Sequence, residues 1–253
     1  LLLAGGAIAA FPLAGRFADK LGAAPVTLAI AVVYTLALIL TALAPGVPTL
    51  ALALFVFGAT HGAMDVAMNT WAGEAERHIG RPVMSSFHAM FSLGAGLGAA
   101  TGYASERWDI GITPHFVLAS IATAIIALAF ARIPWTSPRQ SGIESTPLFP
   151  IPKGPLVAVG FIAFCSSMGE GAMVDWSALF LVEMAQVSPA DAALGYTVFS
   201  IAMVITRLTG DQVTRRLGTT ITARLAGVIA TTGTCCAVFL GTYAWTLTGF
   251  ALM

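Results

Sequence analysis

The sequence predicts an all-α protein that crosses a membrane many times, and three observations carry that prediction. Hydrophobic residues make up 57% of the 253 and charged residues only 9%, against about a quarter charged in soluble domains. Mean hydropathy is +0.86. Apolar stretches alternate with short polar turns along the whole chain, and the basic residues collect in every second turn.

The apolar stretches are nine, at roughly 1 to 14, 25 to 44, 49 to 70, 83 to 103, 113 to 131, 155 to 181, 192 to 209, 220 to 240 and 243 to 253. Most approach the ~20 residues that a helix needs to cross the hydrocarbon core, and a helix satisfies its own backbone in lipid. The first and last are too short to cross. Leu1 is no initiator methionine, and Met253 closes the chain inside an apolar run, so the reading expects an internal fragment of a longer protein.

If the turn at 15 to 24 is cytoplasmic, alternation puts 11 of the 12 Lys and Arg on that side: Arg16, Lys20, Arg77, Arg81, Arg132, Arg139, Lys153, Arg207, Arg215, Arg216 and Arg224, with Arg107 opposite. This positive-inside bias fixes an expected orientation in an inner membrane. Trp71, Trp108 and Trp135 fall near expected helix ends, where indoles anchor at the headgroups. Formal net charge is zero, and nothing points to nucleic acid. Cys165, Cys235 and Cys236 lie in apolar runs without ligand spacing, which predicts packing in place of disulfides or zinc.

The turn after the first segment reads LAGRFADKLG, ending at Gly22, and the turn after the seventh reads LTGDQVTRRLG, ending at Gly218. Gly15 and Gly210 stand 195 residues apart, and doubling that spacing suggests a parent of about 390 residues built from two similar halves. The Pro-rich stretch 133–153 is the natural linker. Residues 1–132 then form one half and 154–253 the other. In each repeated turn, an aspartate near a helix end beside basic residues of a neighbouring helix can make a charge-assisted contact in one conformation and break it in another. Asp19 reads as such a latch, the alternative being a solvated loop whose Arg16 and Lys20 only set orientation.

GRFADKLG resembles the loop between the second and third helices of the major facilitator superfamily, through Gly15, Asp19, Lys20 and Gly22. Ala23 and Ala24 stand where that pattern often carries a basic pair. Arg207, Gly210, Asp211, Arg215, Arg216 and Gly218 resemble the equivalent loop of the second half. The resemblance covers essentially the whole chain, as the second to the tenth helix of a twelve-helix transporter. It implies the two-half fold of six helices each, incomplete at both ends, and a cavity that the first and tenth helices complete with the fourth and seventh.

In GATHGAMDVAMNTWAGEAERHIGR, residues 58 to 81, His61, Asp65 and Asn69 recur every four residues, one stripe within an arc of about 80°. Gly58 and Gly62 allow close approach beside it. An ionised Asp deep in a bilayer costs roughly 2.5 to 3.5 kcal/mol, so Asp65 is expected to face a watery cavity or a partner, or to hold a proton. The competing reading has it low enough to meet cytoplasmic water or to pair with Arg77 or Arg81. The Asp65–Asn69 spacing resembles the fucose-permease-like branch of the superfamily, and GAMDVAMN with MGEGAMVDWSALFL looks like a related group of bacterial inner-membrane permeases.

A second polar site is SSMGEGAMVDW, residues 166 to 176. Gly169 and Gly171 flank Glu170, so the helix is expected to unwind there and expose carbonyls to a ligand. Asp175 and Trp176 either contact a solute at the outer gate or sit solvated at the headgroups. Ser85, His88 and Ser92 share a face of the fourth segment, and His88 either exchanges a proton with a cavity carboxyl or bonds neutrally between helices. Gly94, Gly98 and Gly102 repeat every four residues, the spacing of a close helix seam.

The serines and histidines lack a nucleophile signature, and no phosphate-binding loop or metal-ligand cluster is evident. The reading therefore expects no enzyme and no cofactor, but a monomeric secondary transporter. It would move a small polar solute, such as a sugar or related metabolite, by alternating access coupled to H+. A drug or metabolite efflux antiporter, or a non-transporting membrane sensor or lipid-handling protein, are the alternatives.

Overall fold

The computed structural model describes residues 1–139 and 151–253. Among them the chain forms nine helices: α1 (Leu2–Leu21), α2 (Ala23–Ala42), α3 (Val47–Ile79), α4 (Met84–Arg107), α5 (Ile112–Ala131), α6 (Pro155–Ala185), α7 (Pro189–Leu217), α8 (Thr219–Phe239) and α9 (Tyr243–Leu252). Each apolar stretch of the sequence became one helix. Five of them, α2, α3, α5, α6 and α8, are long and apolar enough to cross a membrane by length and composition. The polar turns of α1 and α7 and the serines and histidine of α4 lower the hydropathy of those three, and α9 is only 10 residues long.

Two expected turns are largely helix. LAGRFADKL completes α1 as far as Leu21, and LTGDQVTRRL completes α7 as far as Leu217. Gly15, Asp19, Lys20, Gly210, Asp211, Arg215 and Arg216 are thus helical residues, because nothing in either run breaks the i→i−4 ladder. The chain turns only at Gly22 (φ 98°, ψ 143°) and Gly218 (φ 80°, ψ 157°), a region of backbone space that only glycine occupies without strain. The two turns even share their closing bond, Gly22 N–H to Ala18 O and Gly218 N–H to Thr214 O, both at 2.8 Å. The repeat read from sequence is therefore a repeat of geometry.

The chain divides into two units, 1–80 with 93–150 and 81–92 with 151–253. In the first, α1 lies against α3 along a seam of glycines. A Cβ on Gly58 would stand 2.0 Å from Leu3 O, one on Gly62 2.7 Å from Ala7 Cα, and one on Gly6 2.1 Å from Phe55 O. In lipid, where apolar side chains gain nothing by leaving water, such backbone-to-backbone approach is what holds helices together. At the seam expected from Gly94, Gly98 and Gly102, nothing among the described residues lies within 4 Å of a Cβ on Gly94 or Gly98, and the nearest atom to one on Gly102 is His115 Cε1 at 3.9 Å. The spacing was right for a seam, but the glycines with a neighbour to approach are those of α1 and α3.

The second unit packs α6, α7, α8 and α9 around Met173, Leu181, Ala192, Phe199, Ala237 and Phe250. Gly233 and Gly249 form its own close seam, a Cβ on Gly249 standing 2.4 Å from Gly233 O. Ser188 begins α7 by accepting the Asp191 N–H at 3.2 Å, a side-chain cap of the usual kind. α6 runs unbroken through Gly169 and Gly171, contrary to the expected unwinding; with no proline inside, two glycines weaken a helix by only about 1 kcal/mol each. The cysteines are free, with Cys165 and Cys235 exposed on helix surfaces instead of packed.

Candidate functional site

In the first unit the polar stripe of α3 stays together. α3 is 33 residues long, about 50 Å at 1.5 Å per residue, and Asp65 sits near its middle, not at its end. Asn69 Nδ2 donates to Asp65 Oδ1 and to Asp65 O, both at 2.9 Å. Because both partners can only accept, the amide orientation is fixed, and Asn69 turns its own carbonyl oxygen outward. Asp65 is exposed. His61, half-buried, has its Nδ1 3.2 Å from the Tyr34 hydroxyl of α2, and Tyr34 stacks on Phe57 at 4.9 Å between ring centroids. Tyr34 was not singled out from the sequence. It stands alone in an apolar run of α2, and the position opposite His61 emerges only when the two helices are packed.

In the second unit α7 carries the densest cluster. Arg207 Nη2 lies 3.2 and 3.3 Å from the two oxygens of Glu170 on α6, and Arg207 Nη1 donates to Ser92 Oγ on α4. The arginine side chain is 17% exposed and the glutamate 44%, so the guanidinium is the sheltered partner. One turn further along α7, Asp211 takes the start of α4: its Oδ1 accepts the Ser85 N–H at 2.9 Å and its Oδ2 the Ser86 N–H at 2.8 Å. The Ser86 hydroxyl donates to the same oxygen. Ser85 and Ser86 lie in the first turn of α4, where N–H groups find no acceptor within the helix. A carboxylate there caps the helix from another element and meets the positive end of its dipole.

Ser85 Oγ closes the cluster by donating to Arg207 O at 2.7 Å. The approach depends on Gly210, where a Cβ would stand 2.6 Å from Ser85 Oγ and 3.3 Å from Ser85 Cβ. Arg207, Gly210 and Asp211, expected in a gate loop, are brought together with Glu170, expected to be a cavity residue, and with Ser85 and Ser92 of one face of α4. Both ends of the guanidinium and both carboxylate oxygens of Asp211 are engaged.

The remaining expected residues lie apart from these clusters. His88 is half-buried in α4, where Ser92 Oγ donates to its carbonyl at 3.2 Å. Asp175 and Trp176 are exposed on α6, Trp176 at 61%. Gly15 opens no contact closer than Val66 Cγ1 at 3.9 Å. Asp19 and Lys20 occupy the last turn of α1, Arg215 and Arg216 the last turn of α7, and Gly218 makes the turn to α8. Of the three tryptophans read as headgroup anchors, Trp108 is 72% exposed, whereas Trp71 and Trp135 meet edge-on at 6.4 Å.

Residues 1–253 match the family model of the Major Facilitator Superfamily. The chain is 42% identical over its full length to an uncharacterized transporter, y4wD, of Sinorhizobium fredii. It is 40% identical over 84% of its length to an uncharacterized MFS-type transporter of Yersinia pestis, and 30% identical over its full length to the membrane protein MosC of Rhizobium meliloti. It spans 67%, 55% and 61% of those relatives' own lengths. With a multi-pass helical architecture, a duplicated glycine turn and a family match from the first residue to the last, the chain belongs to the major facilitator superfamily.

Proposed function

We propose that the chain works as part of a proton-coupled secondary transporter of an inner membrane, moving a small polar solute by alternating access. In this reading the halves are 1–132 and 154–253, joined through 133–153, the Lys- and Arg-rich turns face the cytoplasm, and the protein acts as a monomer. The observation that carries the reading is the double hold of α7 on α4. Arg207 and Asp211, one helical turn apart, grip Ser92, Ser85 and Ser86 through charge-assisted hydrogen bonds. Such bonds are strong while made and separate without chain breakage, which suits a gate that must open each cycle.

Solute contacts in this reading come from Asp65, Asn69 and Glu170, with His88, Asp175 and Trp176 as further candidates along the path. The exposed Asp65 carboxylate at mid-helix supports its assignment as the site that takes up and releases H+, with His61 beside it. Asp19 and Lys20 act as the counterpart of Asp211 in the first half.

Full-length protein reconstituted in vesicles, screened for binding against sugars, organic acids, amino acids and drugs and then assayed across an imposed pH gradient, tests the assignment. Asp65→Asn is expected to bind the solute yet lose gradient-driven accumulation. Full accumulation by Asp65→Asn overturns the coupling role. Extrusion of the solute against the proton gradient would redirect the reading to an efflux antiporter.

A further inference from the structure

Residues 133–139, IPWTSPR, which follow α5 and its C-terminal Arg132, are not a slack tether. Glu74, five residues before the end of α3, is only 8% exposed. Its Oε2 accepts from the Ser137 hydroxyl at 2.7 Å and from the Trp135 indole N–H at 3.0 Å. Ser137 Oγ, its own proton committed to Glu74, accepts the N–H of Ala24 at 3.0 Å. Ala24 is the second residue of α2, whose N–H has no partner inside the helix. The start of α2 therefore reaches a carboxylate through a relay of two bonds, Ala24 N–H to Ser137 and Ser137 O–H to Glu74. Each bond polarises the next.

The strap is seated tightly as well as bonded. A Cβ on Gly22, at the turn between α1 and α2, would stand 2.8 Å from Ser137 Cβ, so the left-handed glycine also makes the room that the serine fills. Trp135 is bracketed edge-on by His78 at 5.5 Å and Trp71 at 6.4 Å, both on α3. A buried carboxylate is costly unless its oxygens are satisfied. Here the strap supplies the satisfying donors, and without it the Glu74 carboxylate and the Ala24 N–H lose these partners together.

We propose that Glu74 is a clasp: it fastens residues 133–139 to the end of α3 and the start of α2, so that the segment connecting α5 to α6 is fixed as far as Ser137.

Limited trypsin digestion of the full-length protein in detergent, with cleavage sites identified by mass spectrometry, tests this independently of any transported solute. Arg139 lies exposed at the strap's end and Arg132 at its beginning. With the clasp closed, cleavage is expected after Arg139 and to be slow after Arg132. Cleavage of a locally closed segment follows its opening equilibrium, and loss of a charge-assisted bond shifts that equilibrium by about tenfold or more. Glu74→Leu is therefore expected to speed cleavage after Arg132 at least about tenfold, and Glu74→Gln, which keeps an acceptor oxygen, by less. Should Glu74→Leu fail to fold, the double variant Trp135→Phe with Ser137→Ala, which keeps the carboxylate and removes its donors, decides. An unchanged rate after Arg132 in the folded Glu74→Leu protein, or in the double variant, overturns the clasp.

Discussion

Removing one charge from Asp211 should open the hold on α4 without touching α4 itself. Asp211→Asn keeps the size of the side chain but replaces one acceptor oxygen by an NH2 group, which faces an N–H donor at either Ser85 or Ser86. At least one of the bonds of 2.9 and 2.8 Å is then lost and the favourable field at the helix start is gone. A hydrogen bond to a charged group is worth about 1.5–3 kcal/mol and the helix-end charge about 0.3–1 kcal/mol. Because the groups share one helix end these do not simply add, and about 2–3 kcal/mol is a fair expectation, a shift of about 30- to 150-fold in the open-to-closed ratio. Ser85 and Gly210 supply the reporter, since a Cβ on Gly210 stands 3.3 Å from Ser85 Cβ, close to the ~3.5–4.5 Å separation of a disulfide. In a Ser85→Cys/Gly210→Cys protein free of other cysteines, mild oxidation should cross-link rapidly, and Asp211→Asn in that background should slow it in proportion to the closed fraction lost. An equal rate in both proteins would refute the claim that the carboxylate holds the helix start.

Other expectations can be checked by thermal unfolding of the full-length protein in detergent. Gly58→Ala drives a methyl to 2.0 Å from Leu3 O and should cost about 1–3 kcal/mol, whereas Gly98→Ala, with open space around it, should be neutral or slightly stabilising. Glu170→Gln should lower stability by about 1–2 kcal/mol, less than a fully buried pair because the glutamate is 44% exposed. The exchange Arg207→Glu with Glu170→Arg should recover part of that loss if the pair matters for its charge. Tyr34→Phe removes the bond to His61 Nδ1 while keeping the stack on Phe57, and should cost about 1 kcal/mol.

What the sequence disclosed well was everything that hydropathy and charge encode over many residues: helix number and the duplicated turn. It was also right that His61, Asp65 and Asn69 fall on one stripe, because a four-residue spacing needs only the helix to exist. It misjudged features that depend on a neighbour. Gly94, Gly98 and Gly102 have the spacing of a seam, but spacing cannot say whether another backbone lies opposite. Gly169 and Gly171 looked like a break, yet the ladder of α6 survives them. Arg207 was placed in a gate loop through the resemblance of that run to the family's loop, whereas its long side chain bonds Glu170 and Ser92 on two other helices. Trp135 read as a headgroup anchor and Ser137 as part of a proline-rich linker, and only the fold shows both donating to Glu74.

The single residues Gly22 and Gly218 have a mechanical consequence. Helices α1 and α2 meet with one residue between them, and so do α7 and α8. A connection of that length has only two torsions to spend, and neither can wander far from the left-handed values without breaking the bond back to Ala18 or Thr214. Each pair therefore behaves as a bracket of fixed angle, in which a tilt of one arm is handed to the other nearly undiminished. Any side chain at the corner would add about 1–3 kcal/mol of backbone strain, enough to favour some other angle. Asp211 lies two turns from such a corner on α7, so releasing its grip on α4 frees α7 and α8 to move as one piece.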